Sequence, residues 1–200
     1  MAFEFMPGAT VVGISYNNGV VLAAEKRVSF GNFVVNKNMK KTFPVTQHVG
    51  AACAGMVADM TVLVRQVEAL AKIRKLETRR EVAPNSVAKL MSVIMFERRY
   101  FPLLTQVIVG GVNDKPEIYT LDPLGSVLPD EYAAVGTGAE MALGIMDAEF
   151  KQGMSEENAR ELAIKAVRSA TQRDASSGDG IDLLVVSRNG TREETVPIRN

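Results

Sequence analysis

One histidine and one cysteine occur in the 200 residues, so the usual neutral-pH base and the usual thiol nucleophile are each present once. A Ser-His-Asp or Cys-His mechanism would have to use His48, and a hydrolase with this sequence is therefore expected to use another base. Cys53 lies among small apolar residues without an adjacent base, which favours packing over nucleophilic chemistry. A single cysteine forms no intrachain disulfide, and with one histidine it cannot complete a zinc site. We expect a reducing compartment and no metal.

Glu25 and Lys41 are the charged residues whose positions best suit a buried site. Glu25 ends the apolar run 20–24, and Lys41 adjoins a later predicted strand. A semi-buried ion pair between Glu25 and Lys41 is feasible. The alternative is that both side chains lie on an exposed strand face, and the spacing of apolar residues does not exclude it. The polar segment 173–180 connects a predicted helix to a predicted strand, where site residues and plain connections are equally common.

The tripeptide Gly136-Thr137-Gly138 could begin a phosphate-binding loop. The pattern Gly-x-Gly-x-x-Gly fails, however, because Met141 stands at the third glycine position, and Gly-Lys-Ser/Thr does not occur in the sequence. A tight turn between a strand and a helix is the favoured interpretation.

Charge is balanced, with 23 Lys and Arg against 23 Asp and Glu. This balance argues against nucleic acid or an anionic membrane as the main partner, because both are bound by concentrated positive charge. The basic runs at 72–75 and 78–80 are interpreted as a solvated helix face or a subunit contact. No apolar stretch approaches the roughly 20 residues that span a bilayer, and residues 1–8 lack the pattern of a secretory signal. We expect a cytoplasmic protein.

The first half of the chain reads as strands followed by two helices. Strands are predicted at 10–15, 20–24, 33–35, 41–45 and 49–54. Asn17-Asn18-Gly19 predicts a tight hairpin because Asn-Gly tolerates positive φ, and His48 is interpreted as a turn residue. From Val57 the apolar spacing changes to three and four, which predicts a helix of about 20 residues. A second helix is predicted from near Pro84 until Pro102 stops it.

The second half repeats this order. Strands are predicted at 103–111, 117–121, 132–135 and 181–187, and helices from after Gly138 to about Phe150 and from a Ser155 cap through Ala170. Segregated strands and helices favour an α+β fold, here a four-layer αββα sandwich of two antiparallel sheets flanked by helix pairs. No linker or repeat divides the sequence, so one domain is expected.

Several short motifs carry a specific signal through their order and spacing. They are Thr10-Val11-Val12-Gly13-Ile14, Gly19-Val20-Val21-Leu22-Ala23-Ala24-Glu25-Lys26-Arg27, Lys40-Lys41, Ala54-Gly55-Met56-Val57-Ala58-Asp59, Gly136-Thr137-Gly138 and Arg173-Asp174-Ala175-Ser176-Ser177-Gly178. Together they resemble the β-type subunits of the proteasome, particularly archaeal ones, from about Ala9 to Ser187. The resemblance implies an N-terminal nucleophile hydrolase fold in stacked rings of seven that enclose proteolysis, with residues 1–8 as a propeptide-like segment and 9–200 as the domain.

The resemblance also implies a chemistry that needs no histidine. In this family the nucleophile is the hydroxyl of an N-terminal threonine, whose own α-amine accepts the proton. The implied lysine is Lys41, its carboxylate partner is Glu25, and the oxyanion donor is the N–H of Gly55. Asp174 and Ser177 match the supporting acid and hydroxyl. Thr137 stands where serine is usual, and Glu25 where aspartate is commoner.

The pocket for the residue before the scissile bond follows from the same resemblance. Cys53, two residues before Gly55, would lie at its floor without doing chemistry. The resemblance implies that the pocket is lined by Val28, Ser29, Met39, Cys53 and Val57.

The decisive departure from the family is at the nucleophile. Lys41 lies 32 residues after Ala9, which is the family's spacing between lysine and threonine, so Ala9 occupies the nucleophile position. Thr10 is the second residue of the motif, because its register would require a lysine at Thr42. Alanine has no oxygen with which to attack, and the same hydroxyl performs the family's self-cleavage. We therefore expect an inactive chain in which residues 1–8 remain attached.

Two origins of Ala9 are open: an engineered substitution that traps a precursor, or a naturally silent subunit beside active ones. The alternative function is a purely structural ring component, and an unrelated one is a monomeric ligand-binding protein. The implied partners are α subunits, other β subunits, a regulatory ATPase reached through the α ring and unfolded polypeptide substrates. No cofactor is implied.

Overall fold

The computed structural model describes residues 8–198, and within them strands and helices alternate in blocks. The strands are β1 (Thr10–Tyr16), β2 (Gly19–Glu25), β3 (Val28–Phe30), β4 (Phe33–Asn36), β5 (Thr42–Thr46), β6 (Val49–Gly55), β7 (Thr105–Val112), β8 (Pro116–Leu121), β9 (Val127–Asp130), β10 (Tyr132–Gly136), β11 (Ile181–Ser187) and β12 (Gly190–Val196). The helices are α1 (Val57–Thr78), α2 (Pro84–Glu97), α3 (Ala139–Glu149) and α4 (Glu156–Thr171).

Two five-stranded antiparallel sheets form the centre of the fold. Sheet I has the order β10-β1-β2-β11-β12, and sheet II has the order β5-β6-β7-β8-β9. The short strands β3 and β4 pair only with each other among the described strands. The predicted α+β class is confirmed.

Three apolar clusters hold the layers together. Val11, Leu22 and Ile108 belong to the cluster between the two sheets. The outer face of sheet I packs against α3 and α4, and the outer face of sheet II packs against α1 and α2. The layers therefore follow the predicted αββα order. Both faces of β2 are buried, which explains why its sequence is a continuous apolar run without polar alternation.

The β1–β2 hairpin forms at Asn17-Asn18 as predicted, but for a different reason. Tyr16 pairs with Gly19, and neither the turn residues nor Gly19 adopts positive φ. Glycine is required at position 19 by close approach, since a Cβ there would collide with the carbonyl oxygen of Val186 and the Tyr16 hydroxyl.

The helix boundaries agree closely with the sequence pattern. Pro84 occupies the first turn of α2 as predicted, and the Ser155 hydroxyl caps α4 by accepting from the N–H of Asn158 at 3.2 Å. Helix α2 ends at Glu97, and the turn formed by Phe101 N–H and Arg98 O brings the chain to Pro102. No helix within residues 8–198 has both the length and the apolar character needed to cross a bilayer.

Three strands lie outside the predicted set, β3, β9 and β12. β3 and β9 are only three and four residues long, whereas β12 reads Gly-Thr-Arg-Glu-Glu-Thr-Val and forms the edge of sheet I. Ion pairs attach it to the helix layer, because Arg160 on α4 contacts Glu194 at 2.6 Å and Arg192 contacts Glu156 at 2.5 Å. An edge strand held by charge has no apolar run for a sequence pattern to detect.

Candidate active site

The predicted site residues lie where strand ends from both sheets meet. In sheet I, Thr10 at the start of β1 pairs with Gly136 at the end of β10, and Glu25 at the end of β2 pairs with Ile181. In sheet II, Gly55 at the end of β6 pairs with Thr105. The N–H of Gly136 donates to Gln106 Oε1 on β7 at 2.9 Å and joins the two edges.

Lys41 and Glu25 form a buried ion pair at this edge, which resolves the alternative that the sequence left open. Lys41 Nζ donates to Glu25 Oε1 and, at 2.6 Å, to the carbonyl oxygen of Arg27. The other carboxylate oxygen, Glu25 Oε2, accepts from the N–H of Arg27 at 2.7 Å and of Gly178 at 3.1 Å. Burial raises the pKa of Glu25, and the Lys41 charge and these hydrogen bonds oppose that rise.

Asp174 is the centre of a second network. Its Oδ2 accepts from the Thr137 hydroxyl at 2.6 Å and from the Ser177 hydroxyl at 2.7 Å. Ser177 Oγ lies 2.8 Å from Thr10 Oγ1, so the network reaches β1. The structure thus brings together three segments that are widely separated in sequence, which carry Thr10, Thr137 and the pair Asp174 and Ser177.

Ala9 is bound to the second of these networks by its main chain. Its N–H donates to Thr137 Oγ1 at 3.2 Å, and its carbonyl oxygen accepts from the N–H of Gly138 at 3.3 Å. The Thr137 hydroxyl also lies 3.3 Å from the Ala9 carbonyl, but its single proton is better used in the shorter contact with Asp174. Ala9 itself is 1% exposed and packs in the cluster between the sheets, together with Ala24, Ala52 and Ala54.

Gly136 and Gly138 have close neighbours at this turn. A Cβ at position 136 would collide with the Ala9 carbonyl oxygen, and one at 138 would collide with Thr10 Oγ1. The predicted strand-to-helix turn is confirmed, because β10 ends at Gly136 and α3 begins at Ala139.

Gly55 ends β6 in a conformation that favours glycine, with φ of +134°. A Cβ there would collide with the carbonyl oxygen of Leu104. The following residue, Met56, donates its N–H to the same carbonyl at 2.7 Å, and Asp59 accepts from the N–H of Leu104 at 2.8 Å. These two hydrogen bonds to the Leu104 main chain fix the segment that directly follows Gly55.

The predicted pocket residues lie on segments that flank this edge. Val28 and Ser29 begin the β3–β4 ribbon, with Ser29 buried, and Val57 is the first residue of α1. The N–H of Met39 donates to the carbonyl oxygen of Lys26 at 3.0 Å, which attaches Met39 to the end of β2.

Cys53 is fully buried in the core cluster between sheet II and its helices. Its N–H donates to the carbonyl oxygen of Lys41 at 2.9 Å, so it neighbours the ion pair through the main chain. Burial raises the pKa of its thiol to about 12, which disfavours the nucleophilic thiolate.

His48 and the basic runs lie away from the site. His48 is in the predicted turn between β5 and β6, at the opposite end of a seven-residue strand and thus about 20 Å from Gly55. Its Nδ1 lies 3.2 Å from the Ser187 carbonyl oxygen. The side chains of 72–75 are exposed along α1. Among the described residues, no group of three or more His, Cys, Asp or Glu is arranged to hold a metal ion.

Two contributions at this edge were not expected from the sequence. Thr10 supplies a hydroxyl to the Asp174 network, and the Arg27 main chain bonds both members of the ion pair. Both residues lie in the recognised motifs, but their contacts depend on the pairing of strands that are distant in sequence.

Comparison with known proteins agrees with this architecture. The model of the proteasome subunit family matches residues 6–186. A proteasome subunit beta 1 from Nitrosopumilus maritimus is 65% identical over 195 residues, covering 98% of both chains, and one from Cenarchaeum symbiosum is 65% identical over 94% of this chain and 97% of its own. A proteasome subunit beta 2 from Pyrobaculum calidifontis is 46% identical over 100% of this chain and 98% of its own. The chain belongs to the proteasome subunit family and is an archaeal-type β subunit of the 20S core.

Proposed function

We propose that this β subunit belongs to a threonine-type endopeptidase assembly but that its own site is inactive because Ala9 occupies the nucleophile position. The observation that carries the proposal is the environment of Ala9: its main chain is held by Thr137 and Gly138, yet its side chain is a methyl group. A methyl group offers no lone pair for attack on a peptide carbonyl.

The remaining groups have the arrangement that such a site requires. Lys41 and Glu25 place a cation at the strand edge, and in this proposal the cation favours an alkoxide at position 9. Thr137 bonds the main chain of the same residue, Asp174 accepts from Thr137, Ser177 contacts Thr10 of the next position, and Gly55 supplies the oxyanion N–H. Val28, Ser29, Met39, Cys53 and Val57 line the pocket for the side chain before the scissile bond.

Processing of the N-terminus is proposed to fail for the same reason. Self-cleavage before residue 9 would need the missing hydroxyl, so residues 1–8 remain attached and the nitrogen of Ala9 stays an amide. An amide N–H donates to Thr137, as observed at 3.2 Å, but it cannot accept a proton as a free α-amine does. Residues 1–7 lie outside the described part of the chain, and the segment 1–8 is proposed to precede a single domain at 9–200.

Family membership implies assembly with α subunits and other β subunits in rings. We further propose that the assembly is cytoplasmic, that it degrades unfolded polypeptides, and that a regulatory ATPase delivers them through the α ring. Neighbouring β subunits with an intact threonine would then supply the peptide hydrolysis.

The reversion Ala9→Thr tests the proposal in assemblies in which this chain is the only β subunit. We expect loss of residues 1–8 by intact mass spectrometry and the appearance of peptidase activity, both abolished again by Lys41→Ala. The unreverted chain should keep its N-terminal segment and show no activity.

A new N-terminus at Ala9 in the unreverted assembly would contradict the blocked precursor, and peptidase activity that responds to Lys41→Ala would contradict inactivity. If Ala9→Thr restores neither processing nor activity, the chain is instead a purely structural ring component.

A further inference from the structure

Arg27 contacts both parts of the candidate site, the ion pair through its main chain and the 174–180 loop through its side chain. The main chain donates to Glu25 Oε2 and accepts from Lys41 Nζ. The guanidinium points the other way, toward the loop between α4 and β11. Its Nε donates to Asp179 Oδ2 at 2.8 Å, Nη2 lies 3.4 Å from Asp179 Oδ1, and Nη1 donates to the carbonyl oxygen of Ala175 at 2.9 Å.

This set of contacts uses the planar fork of an arginine. A guanidinium matches both oxygens of a carboxylate and still has a further N–H for a carbonyl, whereas an ammonium group has no such geometry. The Arg27 and Asp179 side chains are 25% and 16% exposed, so the pair is shielded from water more than a typical surface ion pair.

The backbone of the loop is shaped around the guanidinium. Asp179 has φ of +70°, and Arg79 is the only other non-glycine residue with positive φ in the described chain. This conformation is disfavoured for residues with a Cβ, although aspartate tolerates it better than most. At Gly178 a Cβ would lie 2.5 Å from Arg27 Nη2, so the guanidinium packs directly on the Gly178 main chain.

Gly178 in turn links the loop to the ion pair. Its N–H donates to Glu25 Oε2 at 3.1 Å, and its carbonyl oxygen accepts from the N–H of Lys26 at 3.1 Å. Ser177, directly before it, carries the hydroxyl bonded to Asp174. A shift of the loop at Asp179 would therefore move a ligand of Glu25 and the hydroxyl network together.

We propose that Arg27 is a positioning residue and that its ion pair with Asp179 fixes the loop carrying Asp174 and Ser177 relative to the Lys41–Glu25 pair. The catalytic consequence rests on the proposed function, because it is expressed only when position 9 carries a nucleophile. The effect of the ion pair on the position of the loop needs no nucleophile, so it can be measured in the chain that carries Ala9.

The kinetic test uses the Ala9→Thr assembly with Arg27→Gln, Arg27→Lys or Asp179→Asn added. We expect kcat for a fluorogenic peptide to fall roughly 10- to 100-fold in Arg27→Gln, because small displacements of site groups have effects of this size. KM should change less. Arg27→Lys, which retains the charge and stem, should recover part of kcat and guards against loss of folding.

Lys26→Gln is the matched control. Lys26 neighbours Arg27 and forms an ion pair of similar burial with Asp182 at 3.0 Å. Its stem passes near Gly180, but its ammonium group is bound to β11 and not to the loop, and glutamine keeps part of the stem. It should leave kcat within about twofold of the Ala9→Thr parent, as expected for loss of an ion pair outside the site.

The pH profile separates positioning from general destabilisation. If the loop shifts in these variants, the N–H of Gly178 no longer donates to Glu25, and a hydrogen bond that favours the charged carboxylate is lost. The pKa of Glu25 then rises, while Lys41 and the main-chain N–H of residue 27 still face the carboxyl group. The acidic limb of kcat should therefore move to higher pH in Arg27→Gln and Asp179→Asn. A merely structural loss would reduce the amount of active enzyme without moving the limb.

An activity-independent test uses amide hydrogen exchange in the unreverted assembly. Arg27→Gln should accelerate exchange at Ser176, Ser177 and Gly178, and Lys26→Gln should not. The double variant Arg27→Gln/Asp179→Asn should resemble Arg27→Gln alone, because that substitution already removes the contact with Asp179 together with the one to the Ala175 carbonyl.

If Ala9→Thr is inactive but Arg27→Gln accelerates exchange in the loop, the proposed function fails and the positioning role stands. Arg27→Gln indistinguishable from Lys26→Gln in exchange would overturn the positioning role. So would an active Ala9→Thr enzyme whose kcat and acidic limb are unchanged by Arg27→Gln.

Discussion

At the scale of single residues, the Lys41–Glu25 pair shows how charge is accommodated in the interior. Glu25 is fully buried and Lys41 is 2% exposed, and either charge alone would be strongly unfavourable at such a position. The pair is tolerated because each carboxylate oxygen has a donor and because Lys41 has a second acceptor in the Arg27 carbonyl.

Removal of the cation should therefore be costly. Lys41→Met leaves the Glu25 carboxylate without its partner, and we expect the free energy of unfolding to fall by about 3–5 kcal/mol at neutral pH. Urea unfolding of the subunit measures the change. The control Glu25→Gln/Lys41→Met removes both charges and should recover much of the loss, and equal losses in the single and double variants would contradict this account.

The loss in Lys41→Met should also depend on pH. Burial raises the folded-state pKa of Glu25 above its unfolded value, so the penalty is absent below the unfolded pKa, grows as pH rises through the folded pKa and is then constant. Lys41→Met should accordingly be closest to the parent in acid. A difference in stability that is independent of pH between acid and neutrality would argue against a charged Glu25 in the variant.

Cys53 should be chemically silent in the folded chain. Complete burial and a pKa raised to about 12 leave little accessible thiolate at neutral pH. We expect no modification by iodoacetamide in native conditions and one modification per chain in denaturant, as read by intact mass. Rapid native modification would show that solvent reaches Cys53 through an opening of the helix layer.

At the scale of elements, two glycines at the start and in the middle of α3 differ in whether the surrounding atoms leave room for a Cβ. Gly144 lies in the middle of α3, where a Cβ would meet no atom within 4 Å, whereas at Gly138 a Cβ would collide with the Thr10 hydroxyl. We expect Gly144→Ala to stabilise the subunit by about 0.5–1 kcal/mol, since alanine favours the helix. Gly138→Ala should destabilise it by about 1–3 kcal/mol, as overpacking does. Denaturant midpoints of the two variants should move in opposite directions.

The cap of α4 is a separate element-scale contribution. Ser155→Ala removes the acceptor for the Asn158 N–H and should lower stability by about 1 kcal/mol. Ser155→Asp keeps an acceptor and adds favourable charge at the helix N-terminus, so it should retain the parent midpoint. Equal midpoints for alanine and aspartate would show that the cap contributes nothing measurable.

At the scale of the whole molecule, several large apolar side chains are exposed when the subunit is considered alone. Leu76 lies at the end of α1, Tyr100 and Phe101 follow α2, and Phe33 lies on the β3–β4 ribbon. Exposed apolar area of this kind is typical of subunit contacts, and ring assembly would cover part of it.

Ring assembly should be detectable as a large increase in the mass of the native particle. With an archaeal α subunit present, native mass spectrometry should show particles many times the 21.7 kDa of the chain. A chain that remains at its monomer mass under those conditions would contradict ring assembly.

Much of the fold followed from local sequence pattern. Apolar runs and changes of period located most strands and all four described helices, because burial of a strand or a helix face leaves a regular trace in sequence. The ordered motifs, and the spacing between Ala9 and Lys41, also marked Ala9 as the residue on which we propose that activity depends. Strands β3 and β9 were not predicted because three or four residues are too few to show a pattern, and β12 was not predicted because an edge strand of mostly polar residues leaves no apolar run.

Only the tertiary structure decided how the site residues are connected. The Asp174 hydrogen bonds to Thr137, the Glu25 bonds to Lys41 and Gly178, and the Arg27 contact with Asp179 all join residues from different elements. Their donors and acceptors meet because the register of antiparallel strands brings distant segments to one edge of the sandwich. Local sequence specifies the types of these groups, whereas their distances and burial arise only when the two sheets pack.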